Sequence, residues 1–249
     1  MNNFDFDNNN SAQGIYANSS PLGASIDLNA IMRAVYMWMV AGLATSAVIS
    51  FLVASNQGFV QAVAPFYLPI FFVQIAIVFG IGWAMQRVSP TVMGGLFFLY
   101  AALNGLVFGI IFFALVASGQ SMAIAQAFIT TAGLFGAMSI VGYTTNVDLS
   151  KFGSFFMMAI IGLLIAIVVN WFLGSSMLDL VISVAGVLIF TALTAYDTQR
   201  IKEMSIQMGG NMGDTMSQKV AIMGALTLYL DFINIFIFLL QLFAGGGRD

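Results

Sequence analysis

The chain has 249 residues, of which 60% are hydrophobic and only 7% carry a charge. A soluble domain carries about 25% charged residues, so this composition cannot cover the surface of a water-soluble globule. The deficit excludes a soluble enzyme, a disordered protein and a nucleic-acid binder, which would need a basic patch. What remains is a polytopic helical protein of a lipid bilayer.

The first 30 residues differ in composition from the rest of the chain. They are rich in Asn and Ser, include Asp5 and Asp7, and lack the basic start and apolar core of a signal peptide. We therefore predict a flexible cytoplasmic tail over residues 1–30. A seven-helix transmembrane domain is predicted over residues 31–249.

Seven apolar stretches follow, each of the length that a bilayer requires, about 20 residues. They lie at 32–54, 66–86, 91–117, 121–143, 153–173, 177–199 and 219–243. None has the alternating polarity of a transmembrane strand, so the predicted fold is all-α. The short break at 118–120 predicts an antiparallel hairpin of the third and fourth spans, and the longest break is 200–218.

Glycines recur inside two of these spans. Gly105 and Gly109 form a GxxxG pattern in the third span, and Gly133 and Gly136 lie in the fourth. Small residues at such spacing let helix backbones approach closely. We predict helix-packing roles for both pairs.

The basic residues predict the orientation of the chain. Threading seven spans through a bilayer places six of them on one side: Arg33, Arg87, Lys151, Arg200, Lys202 and Lys219. The seventh, Arg248, follows the last span. By the positive-inside rule the N-terminus is cytoplasmic and the C-terminus is outside, and the segment after Asp197 is a positive-inside anchor.

Two aspartates lie within apolar stretches, Asp197 near the end of the sixth span and Asp231 well inside the seventh. An ionised Asp at the bilayer centre costs about 2.5–3.5 kcal/mol on insertion scales, so it is expected to face the bundle interior, find a partner or bind a proton. The chain has no His and no Cys. A response to pH near neutrality must therefore come from perturbed carboxylates or from the α-amino group.

Each aspartate belongs to a stripe of small and polar residues at helical spacing. The stripe of the seventh span comprises Gly224, Thr227, Asp231, Asn234 and Gln241. The stripe of the sixth span comprises Asp179, Ser183, Gly186, Thr194 and Asp197. If the two stripes meet, the carboxyl groups lie close together. The alternative is that both stripes are only helix-packing seams.

Two segments around these aspartates, 196–202 (YDTQRIK) and 228–234 (LYLDFIN), carry a recognisable pattern. The sequence resembles the Bax inhibitor-1 family, also called the transmembrane Bax inhibitor motif family, over roughly residues 30–244, and bacterial members in particular. The resemblance implies a central last helix and a pH-sensitive calcium leak channel of a bacterial inner membrane. It implies that Asp197 and Asp231 are the pH sensor and ion gate, and that Arg87 is their closed-state partner. The position of Arg87 at the end of the second span is also that of a plain interfacial arginine.

The expected function is thus a calcium or other cation leak without enzymatic activity or a cofactor, the permeant ion apart. Calcium takes six to eight oxygen ligands. Asp197 and Asp231, with Thr194, Asn234 and waters, would therefore form only a weak, hydrated site, and Thr227 is a further supporting polar residue. The expected partners are the bilayer, calcium ions and protons.

Two other functions stay open. An intramembrane aspartyl protease is similar in carrying Tyr-Asp on one helix and Asp on the next, where two carboxylates activate water. Its Gly-x-Gly-Asp motif is not matched by 228–231, and no proline follows Pro90. The third candidate is a regulator of membrane-protein quality control or cell survival in stress protection, binding a membrane-protein partner through its helices. No residue points to a particular partner.

Overall fold

The computed structural model describes residues 21–84, 87–207 and 215–245. Within these ranges the chain is helical and contains no strand. Its α-helices are α1 Pro21–Ala54, α2 Gln57–Val63, α3 Tyr67–Ala84, α4 Pro90–Ala117, α5 Ser121–Thr144, α6 Gly153–Leu173, α7 Ser176–Gln207 and α8 Thr215–Gly245. Short 3-10 turns at Ala64–Phe66 and Leu149–Phe152 precede α3 and α6.

Seven segments of the described residues are long and apolar enough to cross a membrane, which confirms the predicted all-α fold with seven spans. The second segment combines α2 and α3 and bends at Ala64–Phe66, where Pro65 lacks the N–H that a continuous helix needs. The other six each correspond to one long helix. The sixth and seventh predicted spans are α7 and α8.

Several helix bounds differ from the prediction. The second span begins with α2 at Gln57 instead of residue 66. The other large differences arise because hydropathy detects only the apolar part of a helix. α7 continues past residue 199 to Gln207, since Arg200, Lys202 and Glu203 are good helix formers. α8 begins at Thr215. α1 begins at Pro21, so residues 21–30 of the predicted flexible tail are helical, with proline in the first turn, where its missing N–H costs nothing.

Some predictions fall on residues outside those described. They concern most of the N-terminal tail (1–20), the last two residues of the second predicted span (85–86), part of the 200–218 break (208–214) and the C-terminal segment with Arg248 (246–249).

α8 is the central helix of the bundle, as the resemblance implied. It packs against α1, α4, α5 and α7, while α3 packs on α4 and α6 on α7 at the periphery. In its most apolar stretch 72% of the residues are buried, against 6% for the span that contains α6. Side chains that enter the protein interior are therefore concentrated on α8 and on the helices around it.

The two glycine pairs have different outcomes. A Cβ on Gly105 would lie 2.8 Å from Ile49 Cβ, and one on Gly109 would lie 2.5 Å from Val53 Cβ, so this pair allows α4 to pack closely on α1 as predicted. No described atom comes within 4 Å of a Cβ built on Gly133 or Gly136. The packing role predicted for that second pair is wrong, because spacing alone does not say which side of a helix meets a neighbour.

The hairpin predicted for the third and fourth spans is also only partly present. α4 and α5 follow each other through Ser118–Gln120, yet they make few contacts with each other. α4 packs mainly on α1, and α5 packs on α7 and α8. The central helix determines where both of them lie, rather than the short connection between them.

Candidate functional site at the α7–α8 interface

The two polar stripes predicted from the sequence face each other in part, since Asp179 instead accepts a hydrogen bond from Asn170 of α6. At one level Ser183 Oγ of α7 donates a hydrogen bond to Gln241 Oε1 of α8, at 3.1 Å. At another, the side chains of Asp197 and Asp231 lie in hydrogen-bonding contact. The structure therefore brings together the two carboxyl groups that the sequence placed on separate helices.

The surroundings of the two carboxyl groups are unequal. The Asp231 residue is 4% exposed, and its Oδ2 receives no hydrogen bond from the described residues. Asp197 is half-buried and lies nearer the end of the bundle where α7 extends toward Gln207. An ionised carboxylate only accepts hydrogen bonds, so a hydrogen bond between the two carboxyl groups requires a proton on the pair. We call Asp197 and Asp231 the aspartyl pair.

Arg200 is the basic residue that follows Asp197 most closely along α7. It lies one turn after Asp197 on the extended part of the helix and is exposed. It also lines a cleft of about 290 Å³ together with Tyr196, Gln199 and Glu203. The sequence interpretation took Arg200 only as a membrane anchor. Its spacing of three residues from Asp197 places both residues on the same side of α7, which the sequence already indicated.

Arg87, the predicted closed-state partner, lies elsewhere in this structure. It is exposed in the turn before α4, and its guanidinium carbon is 4.3 Å from the centre of the Trp83 ring. Such a cation–π contact is favourable by about 0.5–1 kcal/mol at an exposed site. A pairing of Arg87 with the aspartyl pair stays a prediction about another conformation.

The three supporting polar residues bond to their own helices. Thr194 Oγ1 donates to the Phe190 carbonyl at 2.9 Å, and Thr227 Oγ1 donates to the Met223 carbonyl at 3.1 Å. Asn234 Nδ2 donates to the Leu230 carbonyl at 2.8 Å. Both hydroxyl donors and one amide donor of Asn234 are thus used locally, and what the three residues can offer a cation is oxygen.

Contacts from the end of α5 hold α7 in place around Asp197. Gln199 Nε2 donates to the Val147 carbonyl at 2.8 Å, and Gln199 Oε1 accepts from the Leu149 N–H at 2.7 Å. Lys202 Nζ donates to the Tyr143 carbonyl at 2.8 Å. Gly142 lies directly against the Ala195 backbone and leaves no room for a Cβ. The turn after α5 is therefore tied to the segment that carries Asp197.

The described residues contain no group of three or more acidic or His side chains that could hold a metal ion. Two carboxylates offer at most four oxygens, fewer than the six to eight that calcium takes. Tight calcium binding by the aspartyl pair alone does not fit this donor set. Transient contact with a hydrated cation does.

Comparison with known proteins places the chain in a family. Residues 28–248 match the family described as "Inhibitor of apoptosis-promoting Bax1". The chain belongs to the Bax inhibitor-1 family. It is 45% identical over 218 residues to a protein of Deinococcus radiodurans. The aligned region covers 88% of this chain and 90% of the relative.

Two further relatives are similar over most of their length. The chain is 41% identical over 220 residues to the "Inner membrane protein YbhL" of Escherichia coli K12, with coverage of 87% of this chain and 92% of the relative. It is 38% identical to a Caulobacter vibrioides protein, with full coverage of both chains. The family and the seven spans together establish an integral membrane protein.

Proposed function

We propose that this member of the Bax inhibitor-1 family is a pH-sensitive calcium leak channel whose gate is the aspartyl pair. The observation that carries the proposal is the contact of the Asp197 and Asp231 carboxyl groups between α7 and the central helix. Ionisable groups inside a membrane bundle are costly and usually mark ion or proton pathways. Family membership supports the same proposal.

The proposed mechanism couples protons to the separation of α7 and α8. Two ionised carboxylates in contact repel each other, whereas a pair that holds one proton can form a hydrogen bond. Proton gain or loss, or pairing with Arg200 or Arg87, then shifts a two-state helix arrangement between closed and open. The two carboxyl groups titrate as one coupled unit, so neither has a separate titration of its own.

Calcium is the transported ion in this proposal and not a resident cofactor. The oxygens of Asp197, Asp231 and Asn234 would replace part of the hydration shell, and water would supply the rest. Weak binding is what conduction requires, because an ion that binds tightly does not leave.

The proposed location is a bacterial inner membrane, as the printed name of the Escherichia coli relative says of that protein. The six basic residues from Arg33 to Lys219 lie at the ends of spans that face one side of the bundle, which we call the basic end. By the positive-inside rule the basic end is cytoplasmic and the C-terminus lies outside.

The decisive experiment measures calcium flux in proteoliposomes of phosphatidylcholine and phosphatidylglycerol between about pH 5 and about pH 8, the range in which such linked groups act. We expect the wild-type flux to change with pH by about tenfold, which corresponds to about 1.4 kcal/mol between the open and closed states. Asp231→Asn and Asp197→Asn each remove one titratable carboxyl group of the pair, so the flux should depend less on pH. Asp5→Asn, which changes an aspartate that precedes the first span in the sequence, is the matched control and should behave as wild type.

Unchanged flux and unchanged pH dependence in Asp231→Asn would contradict the proposal. A contact of two carboxyl groups is also what an aspartyl protease needs to activate water. Cleavage of a transmembrane reporter that is lost in Asp197→Ala would favour that second function. If cells keep their stress protection when a variant has lost calcium flux, the third function would be favoured, a regulator of membrane-protein quality control or cell survival.

A further inference from the structure

The α7–α8 interface consists of three levels with alternating character. At the end opposite the basic end, Ser183 is hydrogen-bonded to Gln241. The middle level is apolar, since the Phe190 and Phe238 rings stack with centroids 6.0 Å apart and an angle of 26°. The third level is the aspartyl pair. A continuous polar path between the two helices is therefore interrupted at Phe238.

The position of Phe238 follows from helix geometry. Gln241 lies three residues after Phe238 and Asp231 lies seven residues before it, which is about 4.5 Å and about 10 Å along the axis. All three residues share one face of α8. An ion that moved along this face from Gln241 toward Asp231 would meet the ring before it reached a carboxyl group.

The ring is tightly enclosed. Phe238 is 6% exposed and forms an apolar cluster with Leu163 of α6 and Ile182 of α7. It lies directly on the α7 backbone at Gly186, where a Cβ would come within 2.5 Å of two ring carbons. Glycine at this position in the polar stripe is what allows the ring to close the interface.

We propose that Phe238, stacked on Phe190 and lying against Gly186, is a hydrophobic barrier that separates the Ser183–Gln241 level from the aspartyl pair. An apolar constriction of this kind excludes hydrated cations because it does not stay wet. The proposal rests on the leak function above and adds a second closure to it, which selects against hydrated ions whatever the protonation of the pair. Opening then requires movement of α7 away from α8 at Phe238 as well as at Asp231.

The natural chain has no cysteine, so single reporters can be introduced without altering the background. Gln241→Cys and Asn234→Cys lie on the same face of α8, on opposite sides of Phe238. A membrane-impermeant cationic methanethiosulfonate is added to spheroplasts that contain the full chain. We expect Gln241→Cys to react readily. Asn234→Cys should react about tenfold more slowly or less, because the barrier excludes a hydrated cation.

Replacing the ring should remove this protection. In the Phe238→Ser background, Asn234→Cys should react about tenfold faster, whereas Phe238→Leu, which keeps the constriction apolar, should preserve the protection. Phe236→Ser is the matched control. Phe236 is equally buried on the same helix but packs on Phe108 and Phe112 of α4, at 5.6 Å and 6.0 Å between ring centroids. Phe190→Ser provides a second opening variant if Phe238→Ser does not fold.

Two results would overturn the barrier. One is that Asn234→Cys reacts as fast as Gln241→Cys when Phe238 is present, which needs no ring variant. The other is that Phe236→Ser unprotects Asn234→Cys as much as Phe238→Ser does, which would indicate general loosening. Labelling does not depend on calcium flux. If the protection pattern holds while wild type and Asp231→Asn conduct no calcium, the leak function fails and the barrier stands.

Discussion

The α1–α4 and α7–α8 interfaces both bring helix backbones close together at glycines. They differ in whether the buried polar atoms of their helices have hydrogen-bond partners. In α1–α4, Gly105 and Gly109 lie against Ile49 and Val53, and Ser46 donates to the Ala101 carbonyl at 2.7 Å. No buried side-chain polar atom of α1 or α4 lacks a hydrogen bond within the described part of the chain. This interface serves packing.

The two helices α7 and α8 contain buried polar atoms without partners in the described part of the chain. Among the described residues, four such atoms lie on these two helices: Thr191 Oγ1, Thr198 Oγ1, Ser217 Oγ and Asp231 Oδ2. Each unsatisfied buried group costs about 1–3 kcal/mol. Helices that served packing alone would be more stable with apolar residues in their place. At the proposed gate this cost falls on Asp231 Oδ2, whereas α1 and α4 carry no such atom among the described residues.

The largest effect is expected from disrupting the α1–α4 interface. In Gly109→Leu, even the Cβ would come within 2.5 Å of Val53 Cβ, so overpacking should lower the free energy of unfolding by about 3 kcal/mol or more. Thermal denaturation of the detergent-solubilised protein measures the change. Gly133→Leu is the control, because no described atom lies within 4 Å of its Cβ. Equal stability of the two variants would refute close packing of α4 on α1.

A smaller effect tests the hydrogen bond that links the central helix to α1. The Tyr229 and Ser46 hydroxyl oxygens are 2.7 Å apart, and Tyr229 is fully buried. Because Ser46 already donates to Ala101, Tyr229→Phe should remove one satisfied bond and cost about 1 kcal/mol. Ser46→Ala leaves the Tyr229 hydroxyl unpaired, so it should cost more. A double-mutant cycle of the two variants, followed by thermal denaturation, measures the coupling. A coupling of zero would show that the bond contributes nothing.

The smallest effect is expected at Asp148, an exposed aspartate outside the spans. The Ser150 hydroxyl and backbone N–H donate to the Asp148 carboxylate at 2.5 Å and 3.0 Å, and they hold its pKa below the usual value. Because the folded pKa is lowered, the contribution of this turn to stability is complete above about pH 3.9, the ordinary Asp value. It is lost as the pH falls through the lower folded pKa.

Carbon NMR of the Asp148 carboxyl group during a pH titration checks this sign. The midpoint should lie below the ordinary Asp value in the wild type and should move up toward it in Ser150→Ala, which loses the hydroxyl donor. A midpoint that Ser150→Ala leaves unchanged would exclude the hydroxyl as the cause.

Much of the fold could be predicted from the sequence because hydropathy alone determines which segments lie in a bilayer. The seven spans and the close approach at Gly105 and Gly109 are confirmed. The length of α7 and the role of Gly133 were predicted incorrectly. The first depends on helix propensity beyond the apolar segment, and the second depends on which side of α5 meets a neighbour.

The candidate site shows the same division. Helical spacing placed Asp197 and Asp231 on polar stripes. The two aspartates could be singled out because only 7% of the residues are charged. Only the tertiary structure decided that the stripes meet at Asp197 and Asp231 and that Phe238 interrupts the polar path. The sequence by itself determines the secondary structure and the face of each helix, since these follow from local spacing. The register between α7 and α8 arises from packing between distant parts of the chain, such as Gly186 against Phe238.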